Sequence, residues 1–216
     1  KALIREVSLL KSLNDDHIVK ILGFVEAVES GIVWLIFSWE RNGNLREFIR
    51  SRNWQLPARM SLIDDISRGL AYLHQRKPPI CHGDLKSLNI LVNNKNRAVI
   101  TDFGSACPMD PRSPDHVTGP AWTIRWAAPE LLEGGLPNLA SDIWAFGWIC
   151  WEALTGNYPF EEGNDNDVAI VLRILGGDIP AIREISESKT VSKVLCNLMM
   201  GCWSFDPNER PDAVKC

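Results

Sequence analysis

The chain is 216 residues long, 45% hydrophobic and 23% charged, a balance that suits a globular protein able to bury a sizeable core. Its net charge of −4, with no long basic run, speaks against nucleic acid or an acidic membrane surface as the main partner. The longest uncharged apolar stretch, Ile143 to Trp151, falls far short of the roughly 20 residues that span a bilayer, and no basic-then-apolar leader opens the sequence.

In chain order, Leu3, Val7, Leu10 and Leu13 predict an amphipathic helix over residues 1–13, ended by Asn14-Asp15-Asp16. The β-branched and aromatic runs Ile18–Val25 and Ile32–Ser38, split by a turn at Gly31, predict two strands. Asn42-Gly43-Asn44 is a turn that starts a short helix over Leu45–Arg50. Pro57 opens a long helix to about Gln75, with Leu62, Ile66, Leu70 and Leu73 on one face and Pro78-Pro79 beyond its end.

Ile90–Val92 and Ala98–Ile100 read as short strands around a polar turn at Asn93–Asn96. From Cys107 to Pro120 the prolines and polar residues predict an irregular loop. Beyond it the pattern is helical, at roughly 138–155, 166–175 and 190–202. Trp144, Trp148 and Trp151 lie at i, i+4 and i+7, the spacing of a core stripe. The fold class is therefore α+β, with the polar motifs on loops held by rigid elements.

Six cysteines (Cys81, Cys107, Cys150, Cys196, Cys202 and Cys216) form no CxxC pair, so neither a zinc site nor a disulfide framework is expected. A reducing compartment, cytoplasmic or nuclear, fits that usage. The sequence opens at Lys1, within a helix-like pattern and without Met, and is expected to be a piece of a longer protein.

The chemistry concentrates in His82-Gly83-Asp84-Leu85-Lys86-Ser87-Leu88-Asn89, followed by Asp102-Phe103-Gly104 and Ala128-Pro129-Glu130. An Asp can accept a proton from a hydroxyl, and a Lys can neutralise a transferring phosphoryl group. An Asn and a second Asp can hold Mg²⁺ through oxygen. In this order and with these gaps, the chain resembles a eukaryotic protein kinase. Arg125-Trp126, Cys202-Trp203 and Asp206-Pro207 resemble the tyrosine-kinase-like group of serine/threonine kinases. The resemblance covers essentially the whole chain.

It implies a bilobal kinase-like fold, with residues 1–40 the remnant of a truncated β lobe and 41–216 a mainly helical large lobe. It implies ATP and Mg²⁺ as cofactors and a protein as substrate, and it is silent on oligomeric state. Asp84 would be the catalytic base, Lys86 would meet the transferring phosphate, and Asn89 and Asp102 would be the Mg²⁺ ligands. Ser38, Trp39 and Glu40 would form the hinge that meets adenine, with Leu91 as its floor and Phe37 behind it. Leu10, Ile21, His82 and Phe103 would stack between the lobes. Glu130 would pair with Arg210, and Asp142 would hold the backbone near His82. Lys86 and Thr123 imply serine/threonine transfer.

Two features depart from the family. Gly83 stands where it usually carries an Arg that grips a phosphate on the activation loop, so activity is expected to survive Ala at Ser105, Ser113 and Thr118. Glu6 takes the place of the regulatory-helix glutamate, yet the strand lysine that pairs with it and the glycine-rich loop do not occur in this sequence. The 216-residue chain by itself is therefore expected to transfer little or no phosphate. Two other readings stand beside the kinase: a pseudokinase or scaffold that binds partners without catalysis, and a small-molecule kinase on a related fold.

Overall fold

The computed structural model describes residues 2–27, 29, 32–110, 122–161, 166–179 and 189–216, with side chains from Glu6 in the first helix and from Lys193 in the last. Helix α1 (Ala2–Ser12) leads into an antiparallel hairpin of β1 (Ile21–Ala27) and β2 (Ile32–Phe37). The first strand starts later than the apolar run suggests, for a hydrogen-bonding reason. Val19 N–H donates to Ile100 O at 2.9 Å and His17 O accepts from Ile100 N–H at 2.8 Å, so residues 17–19 pair with a distant strand instead. One side of the hairpin packs inward through Ile21, Leu35 and Phe37. Val25, Ile32, Trp34 and Ile36 remain 41–52% exposed.

Helix α2 (Leu45–Arg50) begins at a capping box. Glu47 N–H donates to Asn44 Oδ1 at 3.0 Å, and Glu47 Oε2 accepts from Asn44 N–H at 3.4 Å. In α3 (Leu56–His74), Pro57 occupies the first turn, where its missing N–H costs nothing. Leu62, Ile66, Leu70 and Leu73 are fully buried on one face.

Two short antiparallel pairings organise the middle of the chain. One is the hairpin of β4 (Ile90–Val92) and β5 (Ala98–Ile100), in the expected place. The buried carboxylate of Asp65 on α3 anchors it by accepting from Ala98 N–H at 2.9 Å and from Arg97. The second joins β3 (Ile80–Cys81) to β6 (Cys107–Pro108), pairing Cys81 with Cys107. The irregular stretch expected from Cys107 thus opens as a strand; its residues 111–121, with Ser113 and Thr118, lie outside the described residues.

The helical part follows as α4 (Pro129–Leu132), α5 (Leu139–Thr155), α6 (Asp167–Leu175) and α7 (Lys189–Cys202). Helix α5 is buried almost all round because α3 and α7 cover it on different sides. Gly147 permits the second approach: a Cβ there would sit 2.7 Å from Trp203 Nε1. Trp148 packs on Trp203 with ring centroids 4.8 Å apart, and Trp144 is fully buried nearby, whereas Trp151 is only partly covered. Glu130 and Arg210 form a two-pronged ion pair at 2.7 and 2.8 Å, with the Arg210 side chain wholly buried. Among the described residues no helix is long and apolar enough to cross a membrane.

Candidate active site

The loop after β3 is held from below by one carboxylate. Asp142, in the first turn of α5, accepts from His82 N–H at 2.8 Å, from Gly83 N–H at 3.0 Å and from His74 Nε2 at 3.0 Å. Burial alone would push the Asp142 carboxyl up. The hydrogen bond and charge of His74, with His82, outweigh burial and hold it low. His82 Nδ1 faces the donating N–H of Asp84 at 3.3 Å, so the ring proton sits on Nε2, where it donates to Thr101 O at 3.0 Å. Gly83 adopts φ +80°, and a Cβ there would lie 2.8 Å from Ser105 O. Only glycine accommodates both that φ and that approach without strain.

On this frame sit Asp84, Lys86 and Asn89. Lys86 Nζ donates to Asp84 Oδ2 at 2.6 Å and to Thr123 Oγ1 at 2.8 Å, while Thr123 donates to Asp84 Oδ1 at 2.8 Å. The Asn89 side chain, on a 3₁₀ turn over Ser87–Asn89, donates through Nδ2 to Asp84 O at 3.0 Å. Thr123 holds one carboxylate oxygen of Asp84 and Lys86 the other, which Asn89 Nδ2 also approaches at 3.5 Å, so the carboxylate is fixed in direction while both it and Lys86 keep some solvent access (13% and 16%).

Asp102 follows β5 in the left-handed region, at φ 63° and ψ 74°. Phe103 is buried against the His82 ring at 5.3 Å. Helix α1 packs on this turn and brings Glu6 toward Asp102; burial first, and the Asp102 charge second, raise the Glu6 carboxyl.

Ser38, Trp39, Glu40 and Leu91 line a single open cleft of about 460 Å³, together with Leu88 and residues 41–44. That volume is in the range of small-molecule sites. Val92 N–H donates to Gly43 O at 2.9 Å, and Asn42 Nδ2 donates to Asn93 O at 2.7 Å. These bonds stitch β4 to the segment after β2 and set Leu91 beneath it. Asp84, Asn89 and Asp102 do not line this cleft.

Glu152 escaped the sequence reading. This buried carboxylate on α5 accepts from Ser87 Oγ at 2.5 Å and from Trp126 Nε1 at 2.7 Å, tying the Asp84 loop to the segment before α4. Burial pushes it up to about 7, against the lowering effect of Ser87, Trp126 and Arg46. The only signal in the sequence was an acidic residue inside the apolar run Trp148–Leu154.

Comparison with known proteins covers the whole chain. Residues 1–216 match the family described as protein tyrosine and serine/threonine kinase. Among similar proteins, the probable serine/threonine-protein kinase roco6 of Dictyostelium discoideum is 30% identical over 96% of this chain and 10% of its own length. Mitogen-activated protein kinase kinase kinase 7 is 30% identical in both Drosophila melanogaster and Homo sapiens, over 98% of this chain and 30% and 34% of their respective lengths. The chain thus spans about a tenth to a third of such relatives. With its small β-containing end, its mainly helical remainder and its polar loops in family order, the chain belongs to the protein tyrosine and serine/threonine kinase family.

Proposed function

We propose that this chain forms most of the catalytic domain of an ATP- and Mg²⁺-dependent protein kinase acting on serine or threonine, with residues 1–40 in the small lobe and 41–216 in the large one. The observation that carries this reading is the Asp84–Lys86–Thr123 triangle, which presents an oriented carboxylate beside a cation. In this role Asp84 orients the substrate hydroxyl and takes its proton, and Lys86 meets the transferring phosphoryl group as a point charge. The name of the roco6 relative favours serine/threonine over tyrosine.

Asn89 and Asp102 suit Mg²⁺. The bond from Asn89 Nδ2 to Asp84 O leaves Oδ1 as a hard donor, and Asp102 adds a second. No group of three or more His, Cys, Asp or Glu side chains able to hold a metal occurs among the described residues. Two protein oxygens are what Mg²⁺ needs when phosphates and water complete its shell. Bound there, Mg²⁺ would neutralise phosphate charge. The backbone of Ser38, Trp39 and Glu40 would meet adenine, over Leu91.

One observation favours the scaffold reading: Gly83 stands where the family usually carries an Arg that grips a phosphate on the activation loop. The two readings separate in one experiment on the full-length protein: ATP binding with and without Mg²⁺, followed by transfer to peptides whose single hydroxyl is Ser, Thr or Tyr. Mg²⁺-dependent binding lost in Asp102→Ala, with transfer to Ser or Thr that falls about 10²–10⁴-fold in Asp84→Asn, is expected. Transfer to Tyr alone would overturn the substrate class, and no binding at all would leave the scaffold.

A further inference from the structure

Cys81 and Cys107 face each other directly across the β3–β6 pair. Met109 N–H donates to Pro79 O at 2.7 Å, and antiparallel pairs alternate along a ladder. The Pro79 and Met109 position is therefore hydrogen-bonded, Ile80 with Pro108 is not, and Cys81 with Cys107 is again hydrogen-bonded. At such a position the Cα atoms lie about 5.5 Å apart, within the roughly 4.4–6.8 Å that a disulfide spans. Facing Cβ atoms sit about 4.5–5.5 Å apart, toward the wide end at a hydrogen-bonded position, and a disulfide needs about 3.5–4.5 Å, so closure requires the two short strands to draw together by roughly 1 Å. The thiols now bond elsewhere, Cys81 Sγ to Asn138 O at 3.3 Å and Cys107 Sγ to Pro108 O at 3.5 Å.

We infer that Cys81 and Cys107 are a site of reversible oxidative modification, closed to a disulfide by a hydroperoxide. Cys107 is only partly buried and Cys81 is wholly so, which fixes the order of events. The Cys107 thiolate attacks the peroxide oxygen, the O–O bond breaks, and Cys107 becomes a sulfenic acid as the peroxide leaves as water. Cys81 sulfur then attacks the sulfenic sulfur, releasing a second water and forming the S–S bond. Two thiols are oxidised by two electrons and one hydroperoxide is reduced. Burial, then Asp142, raise the Cys81 thiol, so the second step is the slow one.

The place of this bond gives it a consequence. Cys81 immediately precedes His82, and Cys107 follows Asp102-Phe103-Gly104 closely, so the link would pin the Asp84 loop to the segment that carries Asp102. A second thiol pair, Cys202 and Cys216, hydrogen-bonds to itself elsewhere and must be silenced to read the first.

The test uses the full-length protein carrying Cys202→Ser and Cys216→Ser, treated with hydrogen peroxide, blocked by alkylation and mapped by mass spectrometry. The expected product is a Cys81–Cys107 linked peptide, two hydrogens lighter, that dithiothreitol reverses and Cys107→Ser abolishes. Oxidised protein should also melt higher than reduced, with no such difference in Cys107→Ser, a readout independent of catalysis. Oxidation of Cys107 while Cys81 remains alkylatable after unfolding, linkage of Cys107 to another cysteine, or no reaction at either would overturn the inference.

Discussion

The Thr123 hydroxyl donates to Asp84 Oδ1 at 2.8 Å and at the same time accepts from Lys86 Nζ at 2.8 Å. Thr123 belongs to the segment before α4, so this hydroxyl ties that segment to the loop bearing the proposed base. Removing a hydrogen bond to a charged group costs about 1.5–3 kcal/mol, which corresponds to about ten- to hundredfold in rate if it serves the transition state. Thr123→Ala is therefore expected to lower kcat by that factor, and Thr123→Ser to restore most of it. Equal losses in the two variants would mean that the methyl group, not the hydroxyl, matters.

The Glu130–Arg210 pair belongs to stability. Arg210 also donates to Ala140 O at 2.9 Å and to Ser204 O at 2.9 Å, so all three of its guanidinium nitrogens are engaged inside the helical part. Glu130→Ala leaves that buried cation without its counter-charge, and a loss of about 3–5 kcal/mol is expected in urea unfolding. An unchanged midpoint would show that the two carbonyls suffice.

The β4–β5 hairpin and the start of α2 were legible because their determinants are local. β-Branched runs flank a polar turn in the first, and Asn44 with Glu47 supplies a capping box in the second. β3 and β6 were hidden because each is two residues long and finds its partner far along the chain, with Pro108 in one of them. The extra length assigned to β1 failed for the same reason: Val19 looks like a hairpin residue until Ile100 claims its N–H. At the site, Asp84, Lys86 and Asn89 lie within one short motif, and the structure brings them together. Glu152 belongs to no motif, and its part depends on Ser87 and Trp126, which only the fold delivers to it.

Gly83 offers a test of backbone strain. The position takes φ +80° with Ser105 O close above it, so a side chain meets both an unfavourable conformation and a backbone clash. A left-handed non-glycine residue costs about 1–2 kcal/mol before any clash is counted. Gly83→Ala is expected to destabilise by at least that amount in chemical denaturation, and Gly83→Arg, the residue usual in the family, to do no better. A neutral Gly83→Arg would mean that the loop at Ser105 yields easily.

Glu152 makes the sharpest pH prediction. Its folded-state carboxyl is pushed up to about 7 from an ordinary 4.5, chiefly by burial, so the folded protein holds this proton more tightly than the unfolded chain. The associated stability is fully present below about pH 4.5 and is lost as pH rises through about 7, an order-of-magnitude difference of about 3 kcal/mol at about 1.4 kcal/mol per pH unit. Gln at this position reproduces the protonated form, since Oε1 can accept from Trp126 Nε1 while Nε2 donates to Ser87 Oγ. Glu152→Gln should therefore match the parent protein near pH 5 and melt progressively higher than it toward pH 8. The comparison between the two isolates this group from other carboxylates such as Asp142, whose lowered value works in the opposite direction. Melting curves that stay parallel across that range would mean that Glu152 is already charged in the folded state at low pH.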